Sequence, residues 1–248
     1  MTTSSTRSKP ASMKIADPVA TRVCDEREVY ETILPLQGAH ILELGCGKAE
    51  KTRAIAQGGK VAAITALEVD QIQHAKNLQI GDLPNVTFRA GGAEAIPAPD
   101  GQFDIVLMFK SMHHVPLDKM DQALGEIRRV LKPGGVAYIS EPVFAGDFNE
   151  ILRLFNDEQR VREAAFAAVQ RAVSEGLFEL VEEKFFNTPS HFDGFEQFEQ
   201  QILQVTHTNH QLSPELYREV KEKFMVHVQP QGADFQMPIR VDLLRKTA

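Results

Sequence analysis

An α/β fold, with a doubly wound, mostly parallel sheet and helices on both faces, is the architecture this sequence predicts, and three observations carry that expectation. Short, nearly continuous apolar runs alternate with amphipathic stretches as far as Ser140, the pattern of parallel strands buried on both sides. A glycine turn, Gly45-Cys46-Gly47, closes the first of those runs just before a helix begins. The chain has 248 residues, 43% apolar and 25% charged, which suits one globular domain.

The elements follow in order. Residues 1–16 are rich in Ser and Thr near the start and are expected to form a disordered tail. Residues 17–36 are amphipathic and predict a leading helix, ended by Pro35 and Gly38. Strands are expected at 40–44, 61–67, 86–89, 103–108 and 136–140, with helices at 50–56, 71–78 and 117–131 between them. Beyond Glu141 the alternation stops. A long helical stretch at 148–175 precedes a strand at 178–186, then helices at 194–205 and 213–225. Ser213-Pro214-Glu215 is a strong helix start, with Ser as cap and Pro in the first turn. A last strand at 239–244 has Pro238 at its first position, where a missing N–H is tolerated. Residues 17–248 read as one domain.

Charge and cysteine usage narrow the function. Acidic residues outnumber basic ones 34 to 27, a net charge of −7, and no Lys/Arg block offers phosphates a surface, so no nucleic-acid partner is expected. Cys24 and Cys46 are too few for a disulfide framework, and a cytoplasmic protein is expected. No apolar run has the length of a membrane span, so no membrane partner is expected either.

The glycine turn says more. Glycines at a strand-to-helix junction let a ligand approach the backbone, with helix N–H groups facing the crevice. A dinucleotide site wants glycine at the sixth position of its G-x-G-x-x-G turn; here that residue is Glu50, whose carboxylate would repel a pyrophosphate. A non-phosphorylated, amino-acid-bearing nucleoside suits the turn better. Glu43 is placed to meet an ammonium group through bridging water. Glu68, at the end of the second strand, is placed to accept from both ribose hydroxyls.

Four motifs carry a family resemblance. Ile41-Leu42-Glu43-Leu44-Gly45-Cys46-Gly47 resembles the first motif of class I S-adenosylmethionine (SAM)-dependent methyltransferases. Gly91-Gly92-Ala93-Glu94-Ala95-Ile96-Pro97 is similar to their third-strand loop. Phe103-Asp104-Ile105-Val106 with Met112-His113-His114-Val115 resembles the fourth-strand signature, and Leu131-Lys132-Pro133-Gly134-Gly135 the turn before the fifth strand. The match covers about residues 38–142 in order and spacing. The resemblance implies a Rossmann-like sheet of seven strands with the last antiparallel, SAM as cofactor, and S-adenosylhomocysteine as product. It implies a cofactor site of Glu43, Gly45, Cys46, Gly47, Glu68, Val69, Gly92, Ala93, Glu94 and Phe109. Two positions depart from the family. Its third motif glycine is Ala49 here, and its adenine-binding Asp is Gly92, leaving adenine to the Ala93 backbone, Glu94 or apolar packing.

A sulfonium methyl is already activated, so the protein chiefly aligns a nucleophile, with a base where the acceptor is protonated. His113, His114 and Glu141, at strand ends facing the crevice, are the catalytic candidates. Tyr30, His191, His207 and His210 are candidates for acceptor binding. His207 and His210 share the i,i+3 spacing of metal ligands, but no third ligand stands at a diagnostic spacing and no metal is expected. Residues 144–236, with Phe185, Phe186, Phe192, Phe195 and Phe198, are expected to contain a helical substrate cap. The expected activity is methyl transfer to O or N of a small, hydrophobic or aromatic acceptor. The alternatives are a SAM-binding regulatory or assembly protein, or a methyltransferase acting on protein or tRNA. The oligomeric state stays open, a homodimer being one option.

Overall fold

The computed structural model of the chain describes residues 12–204 and 212–247. Five parallel strands form its centre: β1 (His40–Leu44), β2 (Ala63–Glu68), β3 (Val86–Ala90), β4 (Phe103–Phe109) and β5 (Leu131–Pro142). Two long strands, β6 (Phe178–Phe192) and β8 (Gly232–Lys246), complete the order β3-β2-β1-β4-β5-β8-β6. β8 runs antiparallel to both β5 and β6, so it alone of these seven is reversed, as expected for the last strand. An eighth, two-residue strand, β7 (Val228–Gln229), pairs only with β8.

Alternate side chains of the buried strands feed two different cores. Leu42, Met108 and Ile139 pack under α4 (Met120–Val130) and α6 (Gln159–Ser174). Ile41, Leu107 and Tyr138, their chain neighbours, pack under α1 (Glu26–Ile33) and α2 (Glu50–Gln57). α3 (Gln71–Asn77) joins β2 to β3. A third apolar cluster gathers where β6 and β8 run on past the end of β5. It is built on α5 (Asp147–Leu152), α7 (Phe195–Phe198) and α8 (Pro214–Met225), the last capped by Ser213 as expected.

Four expectations are corrected. The leading helix starts at Glu26 rather than 17, because Asp25 caps it by accepting from Arg27 N–H at 2.7 Å, while Val23 bridges Asn187 in extended chain. The stretch 148–175 is two helices, broken where the Asp157 carboxylate accepts from Gln159 N–H at 3.0 Å. The segment 194–205 is the short α7 followed by a π-helical turn, Glu199–Leu203. Pro238 lies inside β8, not at its start. Its carbonyl accepts from Val143 N–H just past the β5 ladder, so its missing N–H faces a side where no ladder bond is needed. Of the expected tail, residues 1–11 lie outside the described residues. Within 12–16, Met13 is buried in the main core and Lys14 N–H donates to Glu183.

The phenylalanine-rich region largely packs upon itself. Phe148, Phe192, Phe195, Phe198 and Phe224 have ring centroids 4.9 to 6.2 Å apart in edge, tilted and stacked pairs. Phe198 sits at its centre and is fully buried. Phe198→Ala should lower the unfolding free energy by about 3–5 kcal/mol, read by urea denaturation; a loss under about 1 kcal/mol would mean that these rings do not form a packed core.

Candidate functional site

The site is built at the carboxyl ends of β1, β2, β4 and β5. Gly45 and Gly47 take left-handed backbone, φ 72° and 52°. A Cβ on Gly45 would lie 2.9 Å from Cβ of Ser111, whose hydroxyl donates to the Leu44 carbonyl at 2.8 Å. A Cβ on Gly47 would meet nothing within 4 Å, so the space above that turn is open. Ala49, where the family has its third glycine, holds φ 61°, a conformation its methyl disfavours.

Glu68 ties this turn to the next one. Its carboxylate accepts from Gly47 N–H at 2.7 Å and from Val69 and Asp70 N–H, both at 2.9 Å. Asn77, on α3, adds a brace that sequence reading missed: its buried amide donates to the Gly47 carbonyl at 2.8 Å. The only signal was an amide on the sheet-facing side of a weakly apolar helix. Glu43 is buried behind the turn and accepts from the Thr52 hydroxyl at 2.6 Å. Burial pushes its carboxyl up to about 7. Burial likewise pushes the Cys46 thiol up, leaving it unreactive.

After the third strand, the Glu94 side chain folds back against Gly92. A Cβ on Gly92 would lie 2.7 Å from Oε1 of Glu94, so the Glu94 carboxylate already fills that space. Ala93 is buried in the main core. Val69 and Ile72, 62% and 63% exposed, leave apolar surface beside the Glu68 turn. Phe109 is half-buried between the rings of Tyr30 and Tyr138, at 5.8 and 5.4 Å. Tyr30 is buried, which pushes its phenol up to about 12, and its hydroxyl has no hydrogen-bond partner among the described residues.

The catalytic candidates divide. His113 Nδ1 lies 2.5 Å from Oε2 of Glu141, and Oε1 of Glu141 accepts from Met112 N–H at 2.9 Å. Both side chains are buried. Nδ1 thus faces one carboxylate and Nε2 another. Nε2 lies 3.8 Å from Oε2 of Glu158, which is itself held by Arg162 at 2.6 Å. Burial works against the Glu158 charge, but His113 and Arg162 outweigh it and hold its carboxyl below the usual range. His114 is exposed, its ring 4.1 Å from that of His113. One ligand atom from each of His113, His114 and Glu158 falls within a 4.8 Å cluster, but Arg162 already occupies the carboxylate.

The acceptor candidates are not drawn together. His191 is exposed and bonds Asp234 at 2.8 Å across β6 and β8. Glu141 pairs with Arg240, six residues further along β8, which amounts to about 20 Å of strand. His207 and His210 lie outside the described residues.

Glu43 gives the site a pH signature. A carboxyl raised above its unfolded value contributes stability that is complete below about 4.5 and lost as the pH rises through about 7. Asp242, pushed up to about 6 by burial, acts in the same direction. Unfolding free energy should therefore fall from pH 5 to pH 8. Glu43→Gln should flatten that fall and gain up to about 3 kcal/mol over wild type at pH 8; an unchanged slope would show that Glu43 stays ionised when folded.

The fold agrees with that of the proteins the chain resembles. The methyltransferase-domain family matches residues 41–135. An O-methyltransferase, cnsE, of Penicillium expansum is 33% identical over 54% of this chain and 48% of its own length. The ubiquinone/menaquinone biosynthesis C-methyltransferase UbiE of Hahella chejuensis is 36% identical over 42% of this chain and 43% of its own. The chain thus spans about half the length, or less, of these two relatives. A Bacillus halodurans C-125 protein of known crystal structure shares the fold at TM-score 0.63 and 18% identity, over 89% of this chain and 98% of that one. With its glycine turn, the Glu68 carboxylate beside it and its reversed last strand, the chain resembles the class I S-adenosylmethionine-dependent methyltransferases and carries a stretch, residues 41–135, that matches the methyltransferase domain.

Proposed function

We propose that the chain transfers a methyl group from SAM to an oxygen or nitrogen of a small, apolar or aromatic acceptor. The observation that carries this reading is the carboxylate of Glu68, held by three N–H groups beside the open face of Gly47. The residues present fit the cofactor. The three N–H bonds use three of the carboxylate's roughly four acceptor sites, two at Oε1 and one at Oε2; Oε2 is left open to one ribose hydroxyl, and the second shares Oε1 with an N–H group. Glu94 replaces the missing Asp as acceptor for the adenine amino group, and exposed Val69 offers its side chain to the ring. Glu43 answers the ammonium group. SAM, when bound, supplies a methyl already activated by its sulfonium.

The remaining work falls to this chain's own groups. In its neutral form His113, with Nδ1 held by Glu141, offers Nε2 as a base for the proton that an acceptor hydroxyl or amine loses. Burial of the dyad keeps water from that lone pair. Residues 144–236 act as the cap over this end of the sheet, with the packed rings as its rigid part. The O-methyltransferase relative supports oxygen as the attacked atom. Carbon is the second reading, favoured by the C-methyltransferase relative; a carbon acid also needs a base at His113.

Loss of a charged pair of hydrogen bonds costs about 1.5–3 kcal/mol. Glu68→Ala should therefore weaken SAM binding by roughly ten- to a hundredfold, measured by calorimetry. Unchanged affinity in that variant would remove the assignment of the cofactor site.

A further inference from the structure

A cavity of about 150 Å³ opens at the carboxyl end of β5, on the α6 side of the sheet. Pro142, Val143 and Phe144 give it apolar walls, and Glu141, Arg162 and Arg240 line it with charge. The two arginines differ. Arg162 is fully committed: Nη1 donates to Asn149 at 3.1 Å, and Nε and Nη2 donate to Glu158 at 3.2 and 2.6 Å. Arg240 is not. It is 3% exposed, its Nε donates to Asp242 at 2.9 Å and its Nη1 makes a long 3.4 Å bond to the Ile15 carbonyl. Its Nη2 has no partner among the described residues. A buried guanidinium with open N–H groups is costly unless an acceptor meets them.

We propose that the methyl acceptor carries a carboxylate and that Arg240 receives it in this cavity. The proposal rests on the methyltransferase reading and names the substrate class of that same site. Asp242 holds Nε of the guanidinium; at the Nη1–Nη2 edge Nη2 is unpartnered among the described residues and Nη1 makes only the long bond to Ile15, and that edge has the fork geometry that two carboxylate oxygens match. Phe166 stacks 4.6 Å from the guanidinium carbon and fixes its plane. The charge of the ligand is limited as well. Glu141 and Glu163 stand on the cavity wall, so a dianionic phosphate is repelled more than a monoanion. The position is also right for chemistry. Glu141 and Arg240 are direct partners across β5 and β8, and Glu141 is the residue that holds His113. An acceptor anchored on Arg240 thus keeps its other end within a small molecule's length of His113 Nε2.

The test uses full-length protein saturated with S-adenosylhomocysteine and two pairs of probes: acetate with acetamide, and benzoate with benzamide. Calorimetry should show at least one carboxylate binding about tenfold or more tightly than its neutral amide. Arg240→Gln combined with Asp242→Asn, which removes both members of the buried pair, should abolish that preference and leave S-adenosylhomocysteine affinity near wild type. Arg240→Lys keeps the charge but loses the fork, and should weaken the carboxylate by about tenfold. Equal binding of acid and amide, no binding of either acid, or a preference that survives in the double variant would each overturn the proposal. Failure of wild-type protein to bind S-adenosylhomocysteine would instead strike the methyltransferase reading, so the two failures are distinguishable.

Discussion

Three backbone N–H groups, from Gly47, Val69 and Asp70, converge on the carboxylate of Glu68. That convergence joins the turn after β1 to the turn after β2, beyond the last backbone bonds between the two strands, from Gly45 and Cys46 N–H to the Leu67 carbonyl. Asn77 completes the tie from α3, and Asp70 continues it by capping that helix through Ile72 and Gln73 N–H. The left-handed glycines are the other half of the same constraint. Only a turn that doubles back at Gly45 and Gly47 brings an N–H within reach of Glu68 while leaving the space above Gly47 open. The proposed cofactor recognition and the local folding therefore rest on one carboxylate.

A second constraint acts further along the sheet. Reversal of β8 inserts a strand of opposite direction beside β5, and this places Arg240 and Asp242 next to the carboxyl end where Glu141 and His113 meet. Parallel strands could not bring a residue so near the chain's end to that place without another crossover. The same two long strands, β6 and β8, run past the sheet and carry the phenylalanine core that supports residues 144–236. The end of the sheet proposed for the reaction and the segment proposed as its cap are thus built on one antiparallel pair.

The sequence was most legible where local pattern and burial coincide. Four of the five parallel strands read correctly because each has a run that is apolar on both faces, a signal that needs no knowledge of neighbours; the edge strand β3 read from the alternation of Val86 and Phe88 with Thr87 and Arg89. Glu68 was legible from its distance beyond the glycine turn. Elsewhere the decisive fact was a through-space one. Residues 17–24 look amphipathic, yet 17–20 form a turn and the residues after it lie along Asn187, a partner far along the chain that Val23 bridges. Arg240 and Asp242 alternate with apolar residues as a half-exposed strand would, but α6 covers that face and buries both. Gly92 looked like the loss of an adenine contact; Glu94 folding back over it could be seen only in three dimensions. The phenylalanines were legible as a cluster, while their packing against one another depends on where β6 and β8 end.

The central claim is that the Glu68 carboxylate, organised by the two turns, is the ribose site of a methyltransferase. A crystal structure of the protein grown with S-adenosylhomocysteine tests it most directly. The account predicts both ribose hydroxyls on Glu68, the adenine amino group on Glu94 and the homocysteine end over Gly45–Gly47. A nucleoside bound elsewhere, or Glu68 still bonded only to the three backbone N–H groups with the ligand in place, would contradict it.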